Sequence, residues 1–176
     1  MTSINSWKLL AKTTHHLPAR PAFRNAVADR LNRLFPFDSA TEQFATMIYG
    51  ILNVATGEFR YVSAGHPGPV YLVHGGDPVI LASHGSPIGL ADESLEERSI
   101  RLGAGDRLYL YSDGVPDAMD SASKQFGEAR LLKAISKGRS GPLREGVNIL
   151  VEDIAGWRGS GRRQDDLCIL AVEASV

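Results

Sequence analysis

Residues 105–115 read Gly-Asp-Arg-Leu-Tyr-Leu-Tyr-Ser-Asp-Gly-Val. The run from Leu108 to Tyr111 is apolar and aromatic, so residues 107–111 predict a strand, which the chain enters through a glycine turn. Asp113 follows this strand and precedes Gly114, so its carboxylate is held at the end of a buried element. Such a carboxylate suits a hard metal ion, because Mg²⁺ and Mn²⁺ prefer oxygen donors. The alternative is that Asp113 only stabilises a turn, since aspartate before glycine is common in turns.

A second group of carboxylates, Asp165 and Asp166, directly precedes an apolar closing strand. Adjacent side chains on a strand point to opposite faces, so only one of the two could readily join a shared site. The alternative is a solvated pair balanced by two nearby arginines. If Asp113 and Asp165 converge at one end of the sheets, they could hold a divalent ion that activates water and neutralises phosphate charge.

Two further side chains, those of His66 and Cys168, are of types that can take part in catalysis. His66 follows a strand and enters a tight turn, where it could act as a base but more often hydrogen-bonds a loop backbone. Cys168 is the single cysteine, so no internal disulfide can form, and its apolar neighbours suggest a buried thiol on a strand.

The order of predicted elements indicates an α+β fold. Two helices open the chain, about six strands follow, and two helices and one strand close it; runs of strands followed by runs of helices are typical of that class. The predicted elements are helices over 4–15 and 22–35, strands over 44–53, 59–63, 70–73, 79–81, 99–102 and 107–111, helices over 128–136 and 143–154, and a strand over 167–172.

Composition narrows the class of protein. The chain has 176 residues, 43% apolar and 22% charged, which predicts one globular domain over residues 1–176. A net charge of −1 gives no reason to expect nucleic acid or a membrane surface as partner. No apolar run reaches the ~20 residues of a membrane span, and the N-terminus has no signal-peptide core, so we expect a cytoplasmic protein.

Five motifs in order resemble those of the PP2C-type (PPM) serine/threonine phosphatases of the SpoIIE/RsbU family. The resemblance extends over about residues 31–172 and is specific as a set, although no single motif suffices. The matching segments are a strand pair with an Ala-Gly-His-Pro turn at 44–50 and 61–67, Ser-Pro-Ile-Gly-Leu at 86–90, the stretch at 105–115, Phe-Gly-Glu-x-Arg-Leu at 126–131, and Gln-Asp-Asp-Leu at 164–167.

The resemblance implies a PP2C-like α-β-β-α sandwich of two antiparallel sheets with helices outside. It also implies removal of phosphate from phosphoserine or phosphothreonine, with two Mn²⁺ or Mg²⁺ ions and an activated water that attacks in line. Asp113 and Asp165 fall on metal-ligand positions, while Gly114, Asp166 and His66 are possible supporting residues. Typical substrates of these relatives are phosphorylated anti-sigma-factor antagonists of the STAS type.

The chain departs from the family pattern at its start. The family opens with a G-D-F/Y-F/Y-D metal motif and a D-x-x-G-H-G segment, and neither stands in these 176 residues. We therefore expect an N-terminally truncated domain with a helical segment at 1–35, sheets and C-terminal helices at 44–176, and an incomplete metal site. A sheet edge left unpaired would favour a homodimer by strand addition. The alternative function is a catalytically inactive regulatory or binding module.

Overall fold

The computed structural model describes residues 10–14, 22–35, 44–90, 95–159 and 166–175. Its helices and strands follow the predicted order with one exception, at the first element. They are β1 (Leu10–Thr14), α1 (Ala22–Leu34), β2 (Met47–Asn53), β3 (Glu58–Ala64), β4 (Val70–Leu72), β5 (Pro78–Ile80), β6 (Arg98–Arg101), β7 (Arg107–Tyr111), α2 (Gly127–Lys137), α3 (Leu143–Arg158) and β8 (Ile169–Glu173).

The first of two compact units contains a four-stranded sheet in the order β1-β2-β3-β6. β2 and β3 form the antiparallel hairpin that their alternating apolar residues predict, and β6 pairs with the outer edge of β3. Helix α1 places Val27 and Leu31, one turn apart, against the core of this unit. That core is formed by Tyr49, Ile51, Val62, Ala64, Ile88 and Leu95.

The turn between β2 and β3 shows why this hairpin forms. The side-chain oxygen of Asn53 accepts hydrogen bonds from the backbone N–H groups of Ala55 and Thr56, at 3.0 and 3.3 Å. Gly57 completes the turn with a φ of +72°, a region that favours glycine. A Cβ there would also lie 2.3 Å from the carbonyl oxygen of Leu102. Both the backbone angle and the space therefore require glycine at this position.

The opening helix predicted over residues 4–15 is wrong where the structure describes it. Residues 10–14 form β1, which pairs in parallel with residues 49–53 of β2. The exposed backbone edge of β2 offers a row of hydrogen-bond partners that local helical periodicity does not reveal. Thr13 and Thr14 favour this outcome, because β-branched residues fit strands better than helices. The rest of the predicted helix lies outside the described residues.

The second unit contains a four-stranded antiparallel sheet in the order β5-β4-β7-β8, with α2 and α3 in the same unit. All five residues of β7 are buried, as expected for a strand flanked by β4 and β8. The helices bury Leu131, Ile135, Leu150 and Ile154 in the core that β7 lines with Tyr109. The expectations of an α+β fold and of two antiparallel sheets are confirmed, with the parallel pair β1–β2 as an addition.

A buried carboxylate anchors the loops beside the start of β7. Asp106 is 6% exposed and accepts hydrogen bonds from the N–H of His74 at 2.7 Å, the N–H of Gly103 at 2.8 Å and the hydroxyl of Tyr71. Burial and the hydrogen bond to Asp106 raise the pKa of Tyr71 to about 12, so its hydroxyl stays a donor at neutral pH. One side chain thus joins β4, the loop after it and the turn before β7.

A buried guanidinium joins the sheet to the connection between α2 and α3. Arg107 pairs with Glu173 of β8 at 2.6 Å and donates to the carbonyl oxygens of Gly138, at 2.9 Å, and Gly141. Arginine suits this position, because its planar fork can serve several acceptors at once and so offset the cost of burying its charge.

None of the helices in the described residues is long and apolar enough to cross a membrane.

Candidate metal-binding site

Asp113 stands in a tight turn directly after β7. Its backbone is fixed by two hydrogen bonds: the N–H of Val115 donates to the carbonyl of Ser112 at 3.0 Å, and the N–H of Asp117 donates to the carbonyl of Asp113 at 2.9 Å. The residue is partly exposed, although the strand before it is fully buried. A carboxylate on a rigid backbone with access to solvent can bind a ligand without reorganising its own loop.

The tyrosine before this turn takes no part in such chemistry. Burial, with a smaller effect from the negative charge of Glu128, raises the pKa of Tyr111 above its usual value of about 10. Its phenol is therefore protonated at neutral pH and cannot supply an anionic oxygen to a cation. The carboxylate of Asp113, in contrast, carries a charge that suits a cation.

Asp166 lies close to the same turn through its backbone. The carbonyl of Asp166 accepts a hydrogen bond from the hydroxyl of Ser112 at 3.0 Å, and its side chain belongs to an exposed residue. Neighbouring strands in a sheet lie about 4.8 Å apart, so the entry to β8 runs beside the turn that carries Asp113. The entry to β8 and the turn of Asp113 therefore lie at the same end of this sheet.

Asp165, the second predicted metal ligand, lies outside the described residues. The convergence of the Asp113 and Asp165 carboxylates stays a prediction.

Gly114 is buried in the turn, and its carbonyl oxygen accepts a hydrogen bond of 3.4 Å from a terminal nitrogen of Arg158. Arg158 is the last residue of α3, so this contact joins the helix to the residue that follows the candidate ligand. The predicted supporting role of Gly114 is consistent with this position and stays a prediction.

His66 lies in the first unit, in the loop after β3. It is 8% exposed, its ring nitrogen Nδ1 lies 3.4 Å from the hydroxyl of Thr46, and its carbonyl oxygen accepts hydrogen bonds from Ser63 (3.1 Å) and Ser83. These contacts fix the Ala-Gly-His-Pro turn, as in the structural interpretation of this histidine. Its possible supporting role toward a metal is a separate hypothesis, which these contacts do not test.

Cys168 and Ser112 differ from what the sequence suggests. Cys168 was expected to be a buried thiol but is exposed; it lies directly before β8, which begins at Ile169. Ser112 has no histidine near it in the sequence that could act as a base. In the structure it is 2% exposed and makes the contacts that join β7 to the β8 entry. The sequence feature that could have indicated these contacts is a small hydroxyl residue at the end of a predicted strand.

The donor chemistry at this end of the sheet fits a hard divalent cation. Asp113 offers an anionic oxygen on a fixed backbone, which is the ligand type that Mg²⁺ and Mn²⁺ prefer. Within the described ranges, no group of three or more histidine, cysteine, aspartate or glutamate side chains could hold a metal together. Asp113 is the predicted ligand among the described residues, and water would complete the coordination of an ion bound there.

The two-sheet fold is that of PP2C-type phosphatase domains, and a family match makes the assignment specific. The model of the family described as stage II sporulation protein E (SpoIIE) matches residues 4–175. The chain therefore belongs to the SpoIIE family, as the motifs at 105–115 and 164–167 indicate.

Two curated relatives place the chain among known proteins. It is 29% identical over 131 residues to protein IcfG of Synechocystis sp., an alignment covering 73% of this chain and 20% of that protein. It is 24% identical over 144 residues to the phosphoserine phosphatase RsbP of Bacillus subtilis, covering 81% of this chain and 34% of RsbP. The chain thus spans about a third or less of the length of these relatives.

Solved structures share the fold. The RsbU and RsbW domains of Rv1364c from Mycobacterium tuberculosis match with a TM-score of 0.68 at 22% identity, over 87% of this chain and 42% of that one. Structures of this fold include RsbX in complex with magnesium, with a TM-score of 0.61 at 15% identity over 85% of this chain and 64% of that one. At these identities the likeness establishes the fold alone.

Proposed function

We propose that this chain is a metal-dependent phosphatase domain that removes phosphate from phosphoserine or phosphothreonine in proteins. The observation that carries the proposal is the position of Asp113, on a fixed turn after β7 and beside the entry to β8 at Asp166. Membership of a family with phosphoserine phosphatases supports it.

In this proposal Asp113 and Asp165 would hold Mn²⁺ or Mg²⁺. Bound there, the ion would supply charge to neutralise the phosphoryl oxygens and lower the pKa of a coordinated water. Asp113 contributes an anionic ligand whose backbone does not need to move. Arg158 holds the carbonyl of Gly114 and so limits movement of the turn. Asp166 supports the loop before β8 through its backbone contact with Ser112.

The proposal extends to the substrate, to a homodimer and to the cellular setting of the chain. The substrate would be a phosphorylated protein, with a STAS-type anti-sigma-factor antagonist as the first candidate from the family resemblance. β8 is the terminal strand of its sheet among the described residues, so its outer edge could pair with a second copy of the chain in a homodimer. A cytoplasmic setting fits a signalling role of this kind.

Metal removal tests the proposal directly. With Mn²⁺ we expect slow release of phosphate from p-nitrophenyl phosphate and from a phosphoserine protein, and complete loss of release in excess EDTA, because in-line attack needs a metal-activated water. The rate should be far below that of the RsbP phosphatase under the same conditions, since two carboxylates supply part of the charge that a two-ion site holds. Phosphate release that resists EDTA would contradict the proposal. No release at all would support the inactive binding module instead.

Calorimetry with Mn²⁺ gives a second test that does not depend on turnover. We expect a dissociation constant of about 100 µM or weaker, because two carboxylates leave most of the coordination to water. Asp113→Asn should remove the binding heat. Asp77→Asn is the matched control, because this side chain of the same unit is 87% exposed and pairs with Arg139. Submicromolar binding that Asp113→Asn abolishes would show that other residues complete the site.

A further inference from the structure

Ser112 replaces a backbone hydrogen bond at the end of the β7–β8 ladder. The last ladder pair is Tyr111 with Ile169, and the next pair in register is Ser112 with Cys168. The N–H of Ser112 donates to the carbonyl of Cys168 at 3.0 Å, as antiparallel pairing requires. The reciprocal bond would run from the N–H of Cys168 to the carbonyl of Ser112. That carbonyl instead accepts from Val115, inside the turn that carries Asp113.

The hydroxyl of Ser112 takes the place of the diverted carbonyl. It accepts the N–H of Cys168 at 3.0 Å and donates to the carbonyl of Asp166 at 3.0 Å. A hydroxyl can do both at once, because it carries one donor and two acceptor sites. The side chain is 2% exposed, so water does not compete freely for these bonds. The backbone can thus leave the sheet at Asp113 while the incoming strand stays in place.

We infer that Ser112 is a positioning residue for the proposed metal site, which this inference deepens and on which it rests. The backbone carbonyl of Ser112 holds the turn that carries Asp113. Its hydroxyl holds the β8 entry at Asp166 and Cys168. The hydroxyl therefore keeps the turn of the candidate ligand Asp113 beside the β8 entry, without binding the metal itself. Groups that orient ligands in this way typically change metal affinity or activity by about 10- to 100-fold when removed.

The experiment compares Ser112→Ala with Ser112→Thr, which keeps the hydroxyl, and uses Tyr71→Phe as control. Tyr71→Phe likewise removes a side-chain hydroxyl that makes a hydrogen bond in the same sheet. The partner of that hydroxyl is Asp106, which lies about 20 Å along the chain from Asp113. The first readout is amide hydrogen exchange of residues 166–168 without metal. We expect Ser112→Ala to speed exchange at Cys168 about tenfold, Ser112→Thr to restore it, and Tyr71→Phe to leave it unchanged. Ser112→Cys replaces the alanine variant if that variant does not fold.

The second readout is Mn²⁺ affinity by calorimetry. We expect Ser112→Ala to weaken it about tenfold or more and Ser112→Thr to stay near wild type. Unchanged exchange at Cys168 in Ser112→Ala would overturn the inference whatever the metal does. Faster exchange with Mn²⁺ affinity unchanged would also overturn it, since the hydroxyl would then only stabilise the loop. Wild-type protein without Asp113-dependent Mn²⁺ binding would overturn the proposed function, while the exchange data would still decide whether Ser112 holds the strand entry.

Discussion

Asp113→Asn is expected to lower Mn²⁺-dependent kcat/KM by about 10³-fold. The substitution keeps the size of the side chain and one neutral oxygen but removes the negative charge that holds a hard cation. Metal-assisted charge stabilisation contributes several kcal/mol to such reactions, and each 1.36 kcal/mol corresponds to about tenfold in rate. The measurement is phosphate release from a phosphoserine protein at several Mn²⁺ concentrations. Partial recovery at high Mn²⁺ is expected, because the loss acts through metal binding.

Asp77→Asn makes the same chemical change at an exposed position and should leave the rate within about twofold of wild type. Melting temperatures of both variants should stay near that of the wild type, which separates lost chemistry from lost folding. Retention of more than a tenth of the wild-type rate by Asp113→Asn would show that Asp113 is not a metal ligand, and the proposed site would have to be moved.

The sequence predicted the elements that depend on local pattern. β7 was placed correctly at Arg107–Tyr111, because continuous apolar and aromatic residues between two glycine turns permit few alternatives. The hairpin of β2 and β3 and the helices α2 and α3 also stand where periodicity and turn residues put them, with ends shifted by up to four residues.

The strand β1 could not be found by the same reasoning. Its formation depends on the edge of β2, some forty residues along the chain, and nothing local to Leu10–Thr14 reports that edge. The stabilisation gained by pairing with β2, which is distant in the sequence, outweighed the local helical pattern of this segment. β1 covers the outer edge of β2, and the expectation of an unpaired sheet edge elsewhere stays a prediction.

The candidate site was predicted in type but not in its supporting structure. Asp113 stands out in the sequence because it follows an apolar strand and falls in the segment at 105–115 that resembles a family motif, although aspartate before glycine is also common in turns. The role of Ser112 depends on the register of β7 against β8, which pairs it with Cys168, and register cannot be read from two segments more than fifty residues apart. The sequence could therefore name a candidate ligand but not the contacts of Ser112 beside it.

The largest effect on stability is expected from Asp106→Asn, at about 3 kcal/mol of the free energy of unfolding. One carboxylate oxygen accepts from the N–H of His74 and the other from the N–H of Gly103 and the hydroxyl of Tyr71. An asparagine side chain must turn its NH₂ group toward one of these backbone donors, whichever way it is oriented. Hydrogen bonds to charged groups contribute about 1.5–3 kcal/mol each. Losing one of these bonds and weakening the other two therefore gives a total loss of about 3 kcal/mol.

The loss of unfolding free energy in Asp106→Asn should also depend on pH. Burial, the largest single effect, raises the pKa of Asp106, but the hydrogen bonds from Tyr71, His74 and Gly103 together outweigh it and leave the pKa below its ordinary value. Because the folded-state pKa is lowered, the stabilisation is present above the unfolded-state value of about 3.9 and is lost as the pH falls through the folded value.

Urea unfolding at pH 7 and near pH 3 should therefore show a smaller difference between wild type and Asp106→Asn at the lower pH. Asp77→Asn should change the unfolding free energy by less than about 0.5 kcal/mol at either pH. A loss below about 1 kcal/mol for Asp106→Asn at pH 7, or one of equal size at both pH values, would show that the ionised carboxylate is not what holds these loops together.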